Sequence, residues 1–409
     1  MPTISVEQNL IAKLLAQHKL DHDIEQIADE LPLLGTDIDR CDAQTLDIEI
    51  FPNRPDLLSG ETLTRAIRNF VHRQPAKPSI TTTKGEITLN VEPDLAEIRP
   101  VILGAVVRNV DYTSIGVSAD EFIKSLMDHQ EKLHFALGRG RKRASIGVHD
   151  LAKLAPPFTV KAVNGDTKFT PLAATEPMSI KEIMAEHPKG IEYAHLLSEF
   201  DRYPIILDAE NNVLSFPPII NGDHTTVTKD TKDFFIDVTG WDIRACESSL
   251  MLIALQLQEY GGIIETVEVT NCFGATNVYP NGSAVEHKLT IAAIQGLLGG
   301  KLTEEAISGA INRMGGKLVA CDDELITLEM PRWRFDILHP VDLVEDIAIG
   351  HGYEDLGHDI PRSPMTAKPR SDANLLRRVG NSMQGLGMMQ IQSLTLSNDD
   401  DQFNLVRWE

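Results

Sequence analysis

The stretch VLSFPPIINGDHTTVTKDTKDFFIDVTGWD, residues 213–242, decides how the fold is interpreted, because it combines turns, β-branched residues and small polar groups. Its polar side chains include Ser215, Asn221, Asp237 and Thr239. Alternate positions of a strand face the same side, and Pro217 and Pro218 fix the backbone shape. The pattern therefore predicts the wall of a pocket, with a turn-rich loop between ordinary strands as the alternative.

The flanking sequence predicts one mixed α/β domain over residues 86–268. Apolar and β-branched runs predict strands at 100–107, 144–148, 204–207 and 234–238. A helical pattern near 243–260 ends at Gly261 and Gly262, a typical left-handed terminus, before the strand-like IIETVEVT. We therefore expect the pocket wall to belong to this mixed domain.

A smaller α/β unit is predicted at residues 1–75. Ser5 with Gln8 three residues later has the pattern of a capping box, which predicts a helix there. LDIEIF at 46–51 alternates like a strand, and 60–71 has helical spacing. Residues 72–85 are rich in proline, threonine and lysine without periodicity, which predicts a linker.

Residues 272–357 predict a unit whose shape is analogous to a winged helix. Helices are expected at 284–298 and 304–314, the second capped by Thr303 and stopped by Gly315. LITLEM at 325–330 predicts a strand. Beyond residue 362 the pattern predicts another helix and a strand-like IQSLTL.

Acidic residues cluster in RWRFDILHPVDLVEDIAIGHGY at 332–353. Asp342, Glu345 and Asp346 fall at i, i+3 and i+4 on one helix face, and Asp336 precedes them on a strand. Hard cations such as Mg²⁺ favour oxygen ligands, so these four carboxylates are a candidate metal site. The alternative is that the helix dipole alone stabilises acidic residues in the first turn.

Basic residues cluster in RGRKR at 139–143, which carries Arg139, Arg141, Lys142 and Arg143. Such a cluster is suited to neutralising nucleic-acid phosphates, whereas the alternative is a solvated hairpin that merely carries charge. His134 and His149 lie nearby without an evident paired acid or nucleophile, so a structural role is the favoured interpretation for both.

Composition excludes several classes of protein. With 38 basic and 60 acidic residues the formal net charge is −22, so any nucleic acid must meet a local basic patch. No apolar run approaches the length of a membrane-spanning helix. The four cysteines form no Cys-x-x-Cys pair, which argues against a zinc ribbon or a disulfide framework and fits a reducing cytoplasm. Standard hydrolase, zinc-protease and phosphate-loop motifs are absent.

Four segments together resemble the archaeal and eukaryotic type of phenylalanyl-tRNA synthetase beta subunit. They are NRPD at 53–56, the QEKLH to IGVHDL stretch at 130–151, the LSFPPIING to FIDVTG stretch at 214–240, and RWRFDILHPVDLVEDIAIGHGYEDL at 332–356. They occur in the family's order, and the likeness runs over nearly the whole chain.

The resemblance implies an α+β multidomain fold with a small N-terminal α/β unit, a mixed α/β tRNA-editing domain and a winged-helix-like domain. Residues 363–409 would begin a class II synthetase catalytic-like domain, so the chain would be a fragment. It also implies a cytoplasmic heterotetramer of two alpha and two beta subunits. The alpha subunit would hold the active site that uses ATP to charge tRNA(Phe) with phenylalanine, and no catalytic residue for that reaction is expected here.

Site residues follow from the resemblance as well. Asp237, Thr239 and Ser215 match positions that line the family's editing pocket, where tyrosine wrongly esterified to tRNA(Phe) is removed, and Asn221 is added from the same stretch. Asp237 is the candidate contact for the tyrosine hydroxyl, and a positioned water is the expected nucleophile. Asp336, Asp342, Glu345 and Asp346 would form a magnesium site shared with the alpha subunit. The basic cluster at 139–143 is the candidate tRNA contact.

Two other functions remain open at this point. A free-standing deacylase of mischarged tRNA would need only the mixed domain. A non-catalytic tRNA-binding adaptor would rely on the winged-helix-like unit and the basic cluster, but would leave the residues around Asp237 without a role.

Overall fold

The structure is a computed structural model that describes residues 2–357 and 366–406. The chain divides into two compact units, Met1–Gly357 and His358–Glu409. Among the described residues, no helix is both long and apolar enough to cross a membrane.

The first part of the larger unit is a three-stranded antiparallel sheet of order β1-β3-β2, covered by helices. Its elements are β1 (Thr3–Glu7), α1 (Gln8–Ala16), α2 (Ile24–Glu30), β2 (Thr36–Cys41), β3 (Thr45–Ile50) and α3 (Gly60–Phe70). The strand predicted at 46–51 is confirmed by β3, and the helix predicted at 60–71 is confirmed by α3. The predicted cap at Ser5 is wrong: Ser5 lies in β1 opposite Asp47, because alternating Ile4 and Val6 are buried as a strand requires.

The middle part is a mixed sheet of order β12-β11-β10-β7-β4-β14-β5-β13-β6, with β15 also paired to β14. Its strands are β4 (Thr88–Val91), β5 (Val101–Arg108), β6 (Ala144–Asp150), β7 (Phe158–Val163), β10 (Tyr203–Leu207), β11 (Val213–Phe216), β12 (Ile220–Asn221), β13 (Phe234–Gly240), β14 (Ile263–Thr270) and β15 (Thr276–Tyr279). A separate pair comprises β8 (Lys168–Phe169) and β9 (Met178–Ser179). The helices are α4 (Ala119–Ala136), α5 (Ile180–Glu186), α6 (Pro188–Tyr193) and α7 (Ile243–Gln258).

Strand β13 separates two hydrophobic cores. Phe234, Ile236 and Val238 lie in the core that contains residues of α4, α7 and the first part of the chain. Phe235 lies in the second core, on the other face of the sheet. Because side chains alternate along a strand, Asp237 and Thr239 share the face of Phe235. The alternation predicted for this strand is confirmed.

The third part is a sheet of order β16-β18-β17 packed against helices. Its elements are β16 (Val285–Thr290), α8 (Ile291–Leu298), α9 (Glu304–Arg313), β17 (Lys317–Cys321), β18 (Leu325–Met330) and α10 (Pro340–His351). The helix predicted at 284–298 is therefore partly wrong. Residues 285–290 pair with β18, and the helix begins only where the Thr290 hydroxyl accepts a hydrogen bond from the backbone N–H of Ala293.

The first and third parts repeat one design, which the sequence analysis did not identify. Both sheets have the same strand order. Leu34, Arg54 and Asp56 of the first part are each separated from their counterparts in the third part by the same number of positions in the chain. Arg54 bonds both carboxylate oxygens of Asp56 and the carbonyl of Leu34. Arg334 bonds both oxygens of Asp336 and the carbonyl of Met314 in the same way. This arginine and aspartate pair is therefore a structural element of the repeated unit.

The predicted segment 72–85 contains no helix or strand but is tied to the middle part by backbone hydrogen bonds, such as the one from Thr83 to Ile264. Past the predicted boundary at 272, β15 still pairs with β14 of the middle sheet.

A buried histidine supports a prediction about pH. His129 of α4 contacts the side-chain oxygen of Gln256 in α7 through Nδ1 at 2.8 Å, and its burial lowers its pKa from 6.5 to about 4. The folded protein thus disfavours the protonated ring. The free energy of unfolding should therefore fall by up to about 3 kcal/mol as the pH drops from 6.5 toward 4. Urea unfolding across this range should show a shallower loss for His129→Asn, which keeps a donor but cannot titrate. The prediction would be contradicted if the free energy of unfolding fell equally with pH in the wild type and in His129→Asn.

The smaller unit, described by itself, contains helix α11 (Ala373–Gly385) and a short π-helix (Asp400–Asn404). The strand expected at 391–396 is absent from these described residues, which have no strand neighbour to pair with, and Leu394 and Leu396 are exposed. Within the predicted domain 363–409, residues 363–365 and 407–409 lie outside the described residues.

Candidate functional site

A cavity of about 320 Å³ opens beside β13 in the middle part. Three of the four predicted pocket residues, Ser215, Asn221 and Asp237, line it. The rest of the lining is largely apolar and includes Ile123, Met127, Val148 and Ile220. The sequence prediction of a pocket wall therefore agrees with the position of these three side chains.

Asp237 fits in the sheet only because a glycine lies opposite it. In the register of β13 and β6 it faces Gly147, where a Cβ atom would be 1.9 Å from Asp237 Oδ2 and 2.7 Å from His149 Nε2. Any side chain at residue 147 would therefore displace the carboxylate or the imidazole.

The carboxylate of Asp237 belongs to a buried chain of polar groups. Its Oδ2 lies 2.7 Å from His149 Nε2, and His149 Nδ1 lies 2.8 Å from Thr225 Oγ1. Thr225 also lines the cavity, whereas the His149 side chain is fully buried. Sequence reasoning treated His149 as an unpaired structural residue and did not consider Thr225. The signal for His149 was available, because Gly147 and His149 alternate along β6 as Asp237 and Thr239 do along β13.

Thr239 lies behind the cavity rather than in its lining. The buried Arg99 donates to the hydroxyl and carbonyl oxygens of Thr239 at 2.7 Å each, and to the Ser145 hydroxyl at 3.1 Å. Burial lowers the pKa of the Arg99 guanidinium to about 10. Thr239 thus anchors this arginine behind Asp237, and nothing in the local sequence singled out Arg99.

Ser215 and Asn221 face each other across the hairpin of β11 and β12, where the Ser215 hydroxyl donates to the Asn221 side-chain oxygen at 3.1 Å. Arg141 holds the intervening turn, since it donates to the carbonyls of Pro218 and Ile219. The hairpin is therefore fixed from behind by one residue of the predicted basic cluster.

The structure divides that basic cluster into two pairs. Arg141 is buried and holds the hairpin, so it is not placed for the contact with tRNA phosphates that the sequence predicts. Arg143 is half-buried and forms an ion pair with Asp242. The reason is that the turn at 139–143 packs against the pocket hairpin and α7 instead of projecting into solvent. Arg139 and Lys142 are exposed. His134, in the cavity lining, accepts a hydrogen bond from the backbone N–H of Ile146 at 2.8 Å, a structural contact.

The four predicted metal ligands are not gathered around one point. Arg334 binds Asp336, and through the same Nη2 atom also Asp346 at 2.8 Å. Asp342 instead accepts the backbone N–H groups of Leu338 and His339 and so caps α10. Glu345 is exposed. Within residues 2–357 and 366–406, no group of three or more histidine, cysteine or acidic side chains is arranged to hold a metal ion.

The residues present therefore do not fit a magnesium ion bound by all four carboxylates. The positive charge between Asp336 and Asp346 is already supplied by Arg334, as Arg54 supplies it to Asp56 in the first part. Asp346 Oδ2 is buried and has no hydrogen-bond partner among the described residues.

Comparison with known proteins connects this site to a family. A B3/4 domain family matches residues 103–256, and a tRNA synthetase B5 domain family matches residues 287–353. The phenylalanine–tRNA ligase beta subunit of Methanosarcina acetivorans is 42% identical over 403 residues, covering 98% of this chain and 72% of the relative. The chain belongs to the phenylalanine–tRNA ligase beta subunit family.

Further members of this family agree. The phenylalanine–tRNA ligase beta subunit of Methanosarcina barkeri is 41% identical over 407 residues, covering 100% of this chain and 73% of the relative. The crystal structure of an N-terminal fragment of the phenylalanyl-tRNA synthetase beta subunit from Pyrococcus horikoshii superposes with a TM-score of 0.78 at 30% identity. The match covers 86% of this chain and all of that fragment. The mixed α+β multidomain fold and the aminoacyl-tRNA synthetase assignment expected from the sequence are thus confirmed.

Proposed function

We propose that the cavity beside Asp237 hydrolyses tyrosine wrongly esterified to tRNA(Phe), as the editing site of a phenylalanine–tRNA ligase. The observation that carries the proposal is the Asp237 carboxylate in a largely apolar cavity, whose other carboxylate, Glu131, is paired with Arg141. A phenol hydroxyl can donate to Oδ1 of Asp237, whereas phenylalanine would leave that oxygen without a hydrogen-bond partner. A site of this kind discriminates by about 10⁴ to 10⁵, which an apolar synthetic pocket cannot achieve against an added hydroxyl.

The hydrolysis itself needs a positioned water. Water attacks the ester carbonyl, the bond between the acyl carbon and the ribose oxygen breaks, and that oxygen takes up a proton. His149 is fully buried and so cannot reach a water in the cavity as a base. Ser215 and Asn221 present the polar atoms that suit orienting the water and the ester, and a hydroxyl of the tRNA is the proposed proton carrier.

The remaining parts of the enzyme are proposals from family membership. An alpha subunit would charge tRNA(Phe) with phenylalanine using ATP and Mg²⁺, in a cytoplasmic assembly of two alpha and two beta subunits. Domains are proposed at 1–75, 86–268 and 272–357, with a catalytic-like domain beginning at 363. Arg139 and Lys142 are the proposed tRNA contacts. The four carboxylates of the acidic cluster do not by themselves supply the Mg²⁺ site.

The decisive experiment measures hydrolysis of tyrosine-charged and phenylalanine-charged tRNA(Phe) by this chain, alone and with its alpha subunit. Selective clearance of the tyrosyl ester is expected. Equal hydrolysis of both esters would show that Asp237 does not recognise the tyrosine hydroxyl. Salt-dependent tRNA binding without hydrolysis in either sample would instead favour the adaptor function.

A further inference from the structure

We infer that His149 is the positioning residue of the editing site: its Nε2–H holds Oδ2 of Asp237 and keeps Oδ1 directed to the cavity as an acceptor. The inference rests on the proposed function and deepens it. It assigns a role to a buried histidine that does not itself touch substrate.

The charge of the carboxylate decides which atom is the donor. An ionised carboxylate only accepts hydrogen bonds, so the 2.7 Å contact between Asp237 Oδ2 and His149 Nε2 requires a proton on Nε2. The partner of Nδ1 is the Thr225 hydroxyl, which either donates or accepts and also lies 3.0 Å from the Gly222 carbonyl. When the Thr225 hydroxyl donates to Nδ1, a neutral ring carries its single proton on Nε2.

A buried cation, the guanidinium of Arg99, lies behind the strand that carries Asp237. Arg99 bonds only neutral oxygens in the described part of the chain, namely those of Thr239, Ser145 and Arg141. Buried guanidinium groups are stabilised by a nearby anion. Thr239 lies two residues beyond Asp237 on the same strand face, a distance of about 7 Å. Asp237 is therefore an anion close enough to stabilise the Arg99 guanidinium.

The two carboxylate oxygens therefore have different roles. Oδ2 is engaged by His149, and Oδ1 has no hydrogen-bond partner among the described residues while the side chain lines the cavity. Without the Nε2–H donor, the carboxylate is free to turn or to take up a proton, and a protonated oxygen no longer accepts the phenol hydroxyl. His149 thus determines selectivity through Asp237.

The test compares His149→Phe with His149→Gln in the chain assembled with its alpha subunit. Phenylalanine keeps the ring packed near Phe235, 6.0 Å away, but removes the donor, whereas glutamine restores an amide N–H at the place of Nε2. We expect His149→Phe to lower kcat/KM for tyrosyl-tRNA clearance about 30-fold and to lower the tyrosyl preference by a similar factor, and His149→Gln to recover both to within about 5-fold of wild type. His129→Asn, at an equally buried histidine outside the cavity, is the matched control and should leave clearance unchanged.

A spectroscopic readout separates positioning from folding. Histidine ¹⁵N resonances of the wild-type chain, assigned by their loss in His149→Gln, should show a proton on Nε2 of His149 at neutral pH. An unprotonated Nε2, or a folded His149→Phe with wild-type selectivity, overturns the inference. If the wild-type assembly clears neither ester, the proposed function fails, while the Nε2 proton still decides how Asp237 is held.

Discussion

Replacing Asp237 by alanine is expected to lower the rate of tyrosyl-tRNA(Phe) hydrolysis by about 100-fold and to lower the preference for tyrosine over phenylalanine by a similar factor. Two carboxylates line the cavity, Asp237 and Glu131. Glu131 is paired with Arg141, so the variant loses the carboxylate that is available to a substrate. A hydrogen bond to a charged group that forms with one substrate and not the other supplies a selectivity of this order. Single-turnover hydrolysis of the two charged tRNAs measures both quantities.

The matched control for this variant is Asp150→Ala. Asp150 is also buried and lies on β6, but it accepts hydrogen bonds from Thr231 and from the backbone of Ala152 and does not line the cavity. We expect Asp150→Ala to reduce stability and to keep the tyrosyl preference. An unchanged clearance rate in soluble Asp237→Ala would sink the assignment of the editing site.

Replacing Arg334 by methionine is expected to cost about 3–5 kcal/mol in the free energy of unfolding, the largest effect on stability predicted for this chain. The Arg334 side chain is 2% exposed and is the cation between Asp336 and Asp346, whose side chains are 12% and 5% exposed. Its removal leaves two nearly buried carboxylates without the cation that is hydrogen-bonded to both. The midpoint of urea unfolding measures the loss.

An exposed pair of the same sequence type provides the control. Arg40 also binds an aspartate two residues later, Asp42, but its side chain is 62% exposed, so Arg40→Met should cost less than about 1 kcal/mol. Similar costs for the two variants would contradict the structural role of Arg334. The same samples test the acidic cluster, because Mg²⁺ should not stabilise Arg334→Met; stabilisation would show that these carboxylates can hold a metal.

The repeated arginine and aspartate pair also shows what residue type and spacing do not reveal about the acidic cluster. Asp336, Asp342, Glu345 and Asp346 have the composition of a magnesium site, and spacing alone allowed either a metal or a helix cap. Comparing FPNRPDLL with PRWRFDIL would have exposed the repeat, and with it the structural partner of Asp336. Arg334 precedes Asp336 by two residues, and its role as the cation depends on the fold.

Sequence by itself predicted the strands β5, β6, β10 and β13 and the polar composition of the site. The alternation of FFIDVTG gave Asp237 and Thr239 one face of a buried strand, because the period of a strand is local. Burial of Thr239 behind the cavity, the contact of His149 with Asp237, the need for Gly147 and the division of the basic cluster depend on strands far apart in the chain. Only the tertiary structure decided these features, because pairing of β5, β6 and β13 sets which side chains meet, and no local pattern contains that register.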